Sequence, residues 1–386
     1  MKNNRLLSFA ALALICASSC CKHAQKPENV IFLIGDGMGF GAVTTLLYTE
    51  DEATGFEMAP VIGLSETSSA DNYTPDSAAG GTALATGTRT NNGYAGADPD
   101  GNQLTSIMRK AQAMGKKSGI VVNTTLTEAT PSAFYAGVTS RYKVFDIAKQ
   151  FTESGVDVAI GAGLEHFITR PDSLDLTATL IEKGYDVYLN WETVLKTSSD
   201  KFIGILPLAD IHRRDANNVT AKAAEGHEVC LAAQLAAMDE DAVTSDLSEP
   251  TVYLEKATAK ALDVLERDSK DGFFLMIESA VIDGYGHNND PDGMITEMKE
   301  FNRTLKQLVA YVEEHPNTLL IVTADHETGG TGINYSSYGA YPKLVFSTRG
   351  HTGNVVPIFA YGAGAENFAG VMKNTDIPKK IEELIK

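Results

Sequence analysis

Three apolar runs along the chain each stop on acidic residues. They are Val30-Ile31-Phe32-Leu33-Ile34-Gly35-Asp36, Phe273-Phe274-Leu275-Met276-Ile277-Glu278 and Leu319-Leu320-Ile321-Val322-Thr323-Ala324-Asp325-His326. Runs of β-branched and aromatic residues bounded by glycine or polar residues are the pattern of parallel strands buried on both faces. The same pattern predicts strands over Ser118 to Asn123, Val156 to Gly161, Phe202 to Leu206 and Val356 to Gly362. Between them, helices are predicted over 103–115, 143–154, 174–183, 218–238, 251–267, 293–314 and 376–385. Within 293–314, Met294, Met298, Phe301, Leu305, Leu308 and Val312 recur at helical spacing, which reads as a core-facing helix. Strands alternating with helices predict an α/β fold: a large central, mostly parallel sheet flanked by helices, in three layers. Irregular excursions are expected near 50–75, 165–215 and 333–350. The acidic strand ends lie near both ends of the chain, so residues 29–386 read as one domain.

In open α/β sheets, ligands bind beyond the carboxyl ends of the strands. Three distant segments therefore bring carboxylates to one sheet edge. Carboxylates packed closely repel one another unless cations separate them. The pattern predicts a metal site, with more than one metal.

The composition fits such a protein and narrows its partners. The chain has 386 residues, is 43% hydrophobic and contains 34 glycines, which suits a loop-rich protein with a large core. A net charge of −18 argues against a nucleic-acid-binding surface. An anionic substrate would need local metals and arginines to overcome that field. At the start, Lys2 and Arg5 precede the apolar stretch Leu6 to Ile15 and the small residues Ala17-Ser18-Ser19 before Cys20 and Cys21. This reads as an export signal over 1–21, followed by a polar tether over 22–28. Small residues before a cysteine also fit a bacterial lipoprotein cleavage site. The expectation is an exported, periplasmic protein, either free or held to the membrane by such a lipid anchor alone. Cys230 has no evident partner, so no disulfide framework is expected.

Further candidate chemistry is scattered along the chain. In Thr74-Pro75-Asp76-Ser77-Ala78-Ala79-Gly80-Gly81-Thr82-Ala83, Ser77 stands where a loop enters a helix. A helix N-terminus favours negative charge, which suits a serine alkoxide and any phosphate on it. Alone, Asp76 or Ser77 reads better as a plain N-cap, although the small residues that follow permit close backbone approach to a ligand. Asp283 and His287 are spaced i, i+4 shortly after Glu278, His326 follows Asp325, and His351 lies in Gly350-His351-Thr352-Gly353. Mixed imidazole and carboxylate ligands suit zinc, while all-oxygen sets suit magnesium. His23, His166, His212, His227 and His315 read as tether, loop or surface residues. Arg141 could grip two phosphate oxygens at once.

As a set, these pieces resemble the alkaline phosphatase family. The matching segments are Gly35-Asp36-Gly37-Met38-Gly39, Asp76-Ser77-Ala78, Ala129-Thr130-Pro131, Thr139-Ser140-Arg141, Glu278 to His287, Thr323-Ala324-Asp325-His326 and His351-Thr352-Gly353, in the family's order. The resemblance implies a phosphate monoesterase that takes phosphate monoesters, releases inorganic phosphate, and passes through a phosphoserine on Ser77. It implies that Arg141, oriented by Asp76, holds phosphate oxygens. It also implies two zinc ions and one magnesium. Asp283, His287 and His351 would hold one zinc, and Asp36, Asp325 and His326 the other. Asp36 would bridge to the magnesium, completed by Thr130 and Glu278, with Glu128 just beyond them. A homodimer is the family's habit and is expected here, although the chain is compact.

Two positions depart from the family. Gly284 stands where many members carry lysine, histidine or tryptophan, and Glu128 where aspartate or histidine is common. Both departures bear on the third metal. Two alternatives stay open at this point: a phosphodiesterase relative on the same scaffold, and a non-catalytic phosphate-binding surface lipoprotein.

Overall fold

A computed structural model describes residues 26–207, 253–334 and 342–386. The export signal, Cys230, His212, His227 and the helix expected over 218–238 lie outside the described residues. The fold is built on a ten-stranded sheet. In chain order its strands are β1 (Asn29–Gly35), β2 (Val61–Glu66), β3 (Lys117–Thr125), β4 (Val158–Ala162), β5 (Asp186–Tyr188), β6 (Phe202–Leu206), β7 (Phe273–Ser279) and β8 (Thr318–Thr323). Four short strands follow: β9 (Glu327–Thr328), β10 (Thr331–Ile333), β11 (Leu344–Phe346) and β12 (His351–Thr352). These form two small ribbons, β10 with β11 and β12 with β9. β13 (Val356–Gly362) and β14 (Gly370–Lys373) return to the main sheet, whose order is β14-β2-β13-β8-β1-β7-β3-β4-β6-β5. Among the described strands of this sheet, only β13 runs against its neighbours, β2 and β8.

The three apolar runs lie side by side as β8, β1 and β7 at the middle of the sheet. Their apolar character on both faces has a direct cause. On β1, Ile31 and Leu33 join one core, while Val30, Phe32 and Ile34 join the other. Alternation along a strand sends neighbours to opposite faces, and both faces are covered. Helices Phe40–Thr49, Tyr253–Glu266 and Pro291–Glu314 contribute to the first core. Helices Ser77–Thr86, Ile107–Ala113, Val144–Phe151 and Asp376–Ile385 contribute to the second. The predicted three-layer α/β architecture is the one observed.

The differences are at edges and ends. The region near 50–75 contains β2, and that near 165–215 contains β5. Neither strand has a long apolar run: Ile62 of β2 is largely exposed, and β5 has only three residues. The helix expected from 103 begins at Ile107, because Ser106 caps it by accepting from the Arg109 N–H at 3.1 Å. Gln103 pairs instead with Ala97 in an isolated bridge.

Candidate active site

The site forms where β1, β7 and β8 end. β1 is followed at once by Asp36, Glu278 is the next-to-last residue of β7, and Asp325 and His326 follow β8. All four side chains are buried. The turn after β1 depends on Gly37, whose φ is +72°. A Cβ there would come within 2.8 Å of the Asp283 backbone. The Gly37 N–H donates to Asp325 Oδ1 at 3.1 Å, and the His326 N–H donates to the same oxygen at 2.9 Å. Two backbone donors thus fix the Asp325 carboxylate and leave Oδ2 toward the site.

The helix Ser77–Thr86 brings Ser77 to this edge. All its residues are buried, which their small size permits. Asp76 is its N-cap, accepting from the Ala79 N–H at 2.9 Å through Oδ1. Its other oxygen, Oδ2, accepts from the Gly93 N–H at 3.0 Å and lies 3.5 Å from the Arg141 guanidinium. The Arg141 N–H donates to the Gly93 carbonyl at 2.7 Å, so one loop holds both partners. The N-cap role and the arginine contact coexist in Asp76. Arg141 also donates to Glu128 Oε2 at 3.1 Å. The arginine lies between two carboxylates and is mostly buried.

Two clusters of ligand atoms converge. In the first, Asp283 Oδ2 is 3.3 Å from His287 Nε2, and Asp283 Oδ1 is 3.4 Å from His351 Nε2. The two Nε2 atoms are 3.0 Å apart. His351 Nδ1 faces the Pro75 carbonyl at 2.9 Å, and His287 Nδ1 faces the Arg349 carbonyl. A carbonyl only accepts, so each Nδ1 carries a hydrogen and each Nε2 is left to face Asp283 and the other ring. Two imidazole nitrogens that close beside a carboxylate form a donor set suited to a cation. In the second cluster, His326 Nε2 is 3.2 Å from Asp325 Oδ2, 3.5 Å from Asp36 Oδ1 and 3.3 Å from Ser77 Oγ.

The trios whose ligand atoms lie within 4.8 Å of one another are Asp283, His287 and His351, and Asp36, Asp283 and His326. The first brings together the three residues expected at one zinc. The second joins Asp36 and His326, two of the residues expected at the other zinc, with Asp283, so Asp283 stands between the two clusters; Asp325, the third residue expected there, lies against His326.

The remaining expected ligands gather as oxygens. Asp36 Oδ1, Thr130 Oγ1, Glu278 Oε2 and Asp325 Oδ2 are buried with no hydrogen-bond partner among the described residues. Orphaned buried oxygens are costly unless something satisfies them, and this donor set suits a hard cation. Asp36, Thr130, Glu278, Arg141 and Ser77 line one cavity of about 90 Å³. Glu128 lines it too, but turns its Oε2 to Arg141 and to the Ala129 N–H.

The electrostatics match. Burial, then the Asp325 charge, pushes both Asp36 and Glu278 well above the usual carboxylate range. Burial, then Asp283, pushes Asp325 to about 7. Burial also acts upward on Asp283, but His287 and His351 outweigh it and hold Asp283 well below the usual range. Burial, followed by the neighbouring His351, holds His326 well below the usual imidazole value and therefore neutral. A cation among these groups would offset the repulsion that raises the acids.

His166 corrects the sequence reading. It is buried, lines the same cavity, and its Nδ1 lies 2.6 Å from Thr127 Oγ1. No local pattern marked it, because the helix Leu164–Ile168 that carries it is five residues long. Glu297 was also missed, although a signal existed. It interrupts the apolar stripe between Met294 and Phe301, at i+3 from one and i−4 from the other, and it is buried. Gly284 has open space where a Cβ would stand.

Comparison with known proteins points to one family. The family model described as alkaline phosphatase matches residues 27–345. Alkaline phosphatase 4 of Bacillus subtilis is 27% identical, with 99% of this chain and 97% of the relative aligned. The alkaline phosphatase of Escherichia coli is 28% identical, over 92% of this chain and 85% of its own. Among solved structures, the alkaline phosphatase of the Antarctic bacterium TAB5 superposes with a TM-score of 0.79 at 30% identity, covering 93% of this chain and 98% of that one. A variant of that enzyme with glutamate in place of a histidine, holding magnesium in its M3 site, superposes with a TM-score of 0.77 at 30% identity, over 94% and 99% of the two chains.

Proposed function

This chain belongs to the alkaline phosphatase family and is a phosphatase, and from that premise we propose that it hydrolyses phosphate monoesters through a phosphoserine on Ser77. The observation that carries this reading is the convergence on His326 Nε2, where Ser77 Oγ, Asp36 and Asp325 all approach within 3.5 Å. Asp283, His287 and His351 would hold one zinc. Asp36, Asp325 and His326 would hold a second, with Asp283 close to both. Asp36, Thr130 and Glu278 would hold a magnesium. A similar solved enzyme, a histidine-to-glutamate variant with magnesium in its M3 site, supports magnesium as the ion for that oxygen-rich set. When bound, such ions lower the pKa of a hydroxyl or water and neutralise oxygens that gain charge.

The chain's own groups account for the remaining steps. Ser77 stands at a helix N-terminus, where the backbone favours a serine alkoxide and an incoming phosphate. Arg141 is held by Asp76 and Glu128 with its guanidinium toward the cavity, placed to grip two phosphate oxygens. Ser77 Oγ attacks phosphorus as the bond from phosphorus to the alcohol oxygen breaks; the alcohol leaves with the proton that Ser77 gives up, and the phosphoryl group rests on Ser77. Water then attacks phosphorus as the bond to Ser77 Oγ breaks; one water proton goes to Ser77 Oγ and inorganic phosphate leaves. Phosphoryl transfer needs mainly positioning and charge neutralisation, which this site is built to supply against a net charge of −18. We further read the protein as exported to the periplasm, on the charged, apolar and small pattern of its first residues.

Ser77→Ala is the direct test. Monoester kcat/KM should fall by at least ~10³-fold with zinc content unchanged, because the nucleophile is lost and the ligands are not. Turnover near the parent level would sink the assignment of Ser77. A parent enzyme that hydrolyses a diester far faster than a monoester would sink the monoesterase reading.

A further inference from the structure

Along β7, consecutive side chains point to opposite faces. Phe273, Leu275 and Ile277 pack in the core shared with the helix Pro291–Glu314, and Phe274 and Met276 in the core shared with the helix Ser77–Thr86. Glu278 continues the second series toward Ser77. Ser279 continues the first, behind the sheet, where it meets Glu297. Glu297 Oε1 accepts from Ser279 Oγ at 2.6 Å and from Asn123 Nδ2 at 2.6 Å. Asn123 follows Val122, the β3 partner of Glu278, and its Oδ1 accepts from the Ala280 N–H at 2.8 Å. One carboxylate behind the sheet therefore holds Ser279 directly and Ala280 through Asn123. These two residues form the whole link between Glu278 and the helix Val281–Asn288, which bears Asp283 and His287.

Packing does not require a carboxylate at this point. Burial, then the neighbouring Glu300, pushes Glu297 up to about 7, and the two donors act against that rise. An apolar residue would complete the stripe between Met294 and Phe301 but would take the acceptor from the buried Ser279 and Asn123 donors. What the carboxylate does, and an apolar side chain cannot, is accept two hydrogen bonds at one strand end.

We propose that Glu297 is a positioning residue: through Ser279 and Asn123 it sets the placement of Glu278 relative to Asp283, and with it the metal affinity of the site. This rests on the reading of Glu278 and Asp283 as metal ligands. The test uses the full chain and zinc alone, with the zinc dissociation constant from chelator competition and Tm recorded for zinc-loaded and chelated protein. Glu297→Ala should weaken zinc binding by about 10–100-fold, the usual cost of losing a group that orients ligands. It should also shrink the Tm rise on loading. Glu297→Gln keeps the accepting Oε1 and should return affinity to within about threefold of the parent, given that both donors still find it. Ser279→Ala and Asn123→Ala each remove one donor and should each weaken zinc binding; they decide the matter if Glu297→Ala does not fold. Zinc affinity and loading shift equal to the parent, whatever happens to the chelated Tm, would overturn the proposal and leave Glu297 a support of the fold alone. A parent that binds no zinc would overturn the ligand reading and this inference together.

Discussion

Single residues in this site carry two tasks, one local and one distant. Asp76 caps a helix and faces Arg141. Asp325 ties down the turn after β1 with one oxygen and offers the other to the site. His166 illustrates a residue whose environment, not its neighbours in sequence, decides its state. Burial lowers it to about 4, with Glu128 opposing and Arg170 assisting. The folded protein thus keeps it neutral where the unfolded chain protonates it. Its stabilising contribution is complete above about pH 6.5, the ordinary histidine value, and is lost as pH falls toward 4. The full window corresponds to ~3 kcal/mol. Urea midpoints of metal-stripped protein should therefore fall less steeply between pH 6.5 and 4 in His166→Gln than in the parent. Parallel slopes would show that His166 is not the group responsible.

At the scale of elements, the helix Ser77–Thr86 has its position set by what its glycines lack. A Cβ on Gly80 would meet the Asp325 carbonyl at 2.8 Å, and one on Gly81 would meet Thr130 Cα at 2.9 Å. The helix is thus pressed between the end of β8 and the helix Ala129–Ser132, which places Ser77 between the two ligand-bearing segments. Gly80→Ala forces backbone apart and should cost about 1–3 kcal/mol of stability, with a loss of monoesterase kcat. Gly284→Ala is the contrast, because nothing stands within 4 Å of its Cβ. It should leave stability within about 0.5 kcal/mol of the parent. Equal tolerance of both changes, read from unfolding midpoints and kcat, would contradict the close-approach account.

At the scale of the whole molecule, the sheet gathers carboxylates at the ends of β1, β7 and β8 and leaves several of their oxygens buried without hydrogen-bond partners among the described residues. Such a site is repulsive without cations, so cation binding should contribute to folding stability. Chelation should lower Tm by roughly 10 °C, and zinc with magnesium should restore it, for sites occupied well above their dissociation constants. An unchanged Tm after verified metal removal would mean that the cluster is satisfied by protonation instead. By itself the sequence determined the strands with two apolar faces, the helices between them, and the acids at the strand ends. Those features are local: periodicity and boundary residues express them within a few positions. It also marked Ser77, Arg141 and the histidines by their settings, and their assembly into one pattern came from resemblance to a family. The tertiary structure alone decided that Asp283 stands between both clusters, that Glu128 turns to Arg141, and that His166 and Glu297 are buried around the site. It also decided that β2, β5 and β14 complete the sheet. The physical reason is that these facts depend on contacts between segments far apart in the chain, where sequence pattern carries no distance. Edge strands lack a long apolar run, and a buried polar group takes its meaning from partners that only packing supplies.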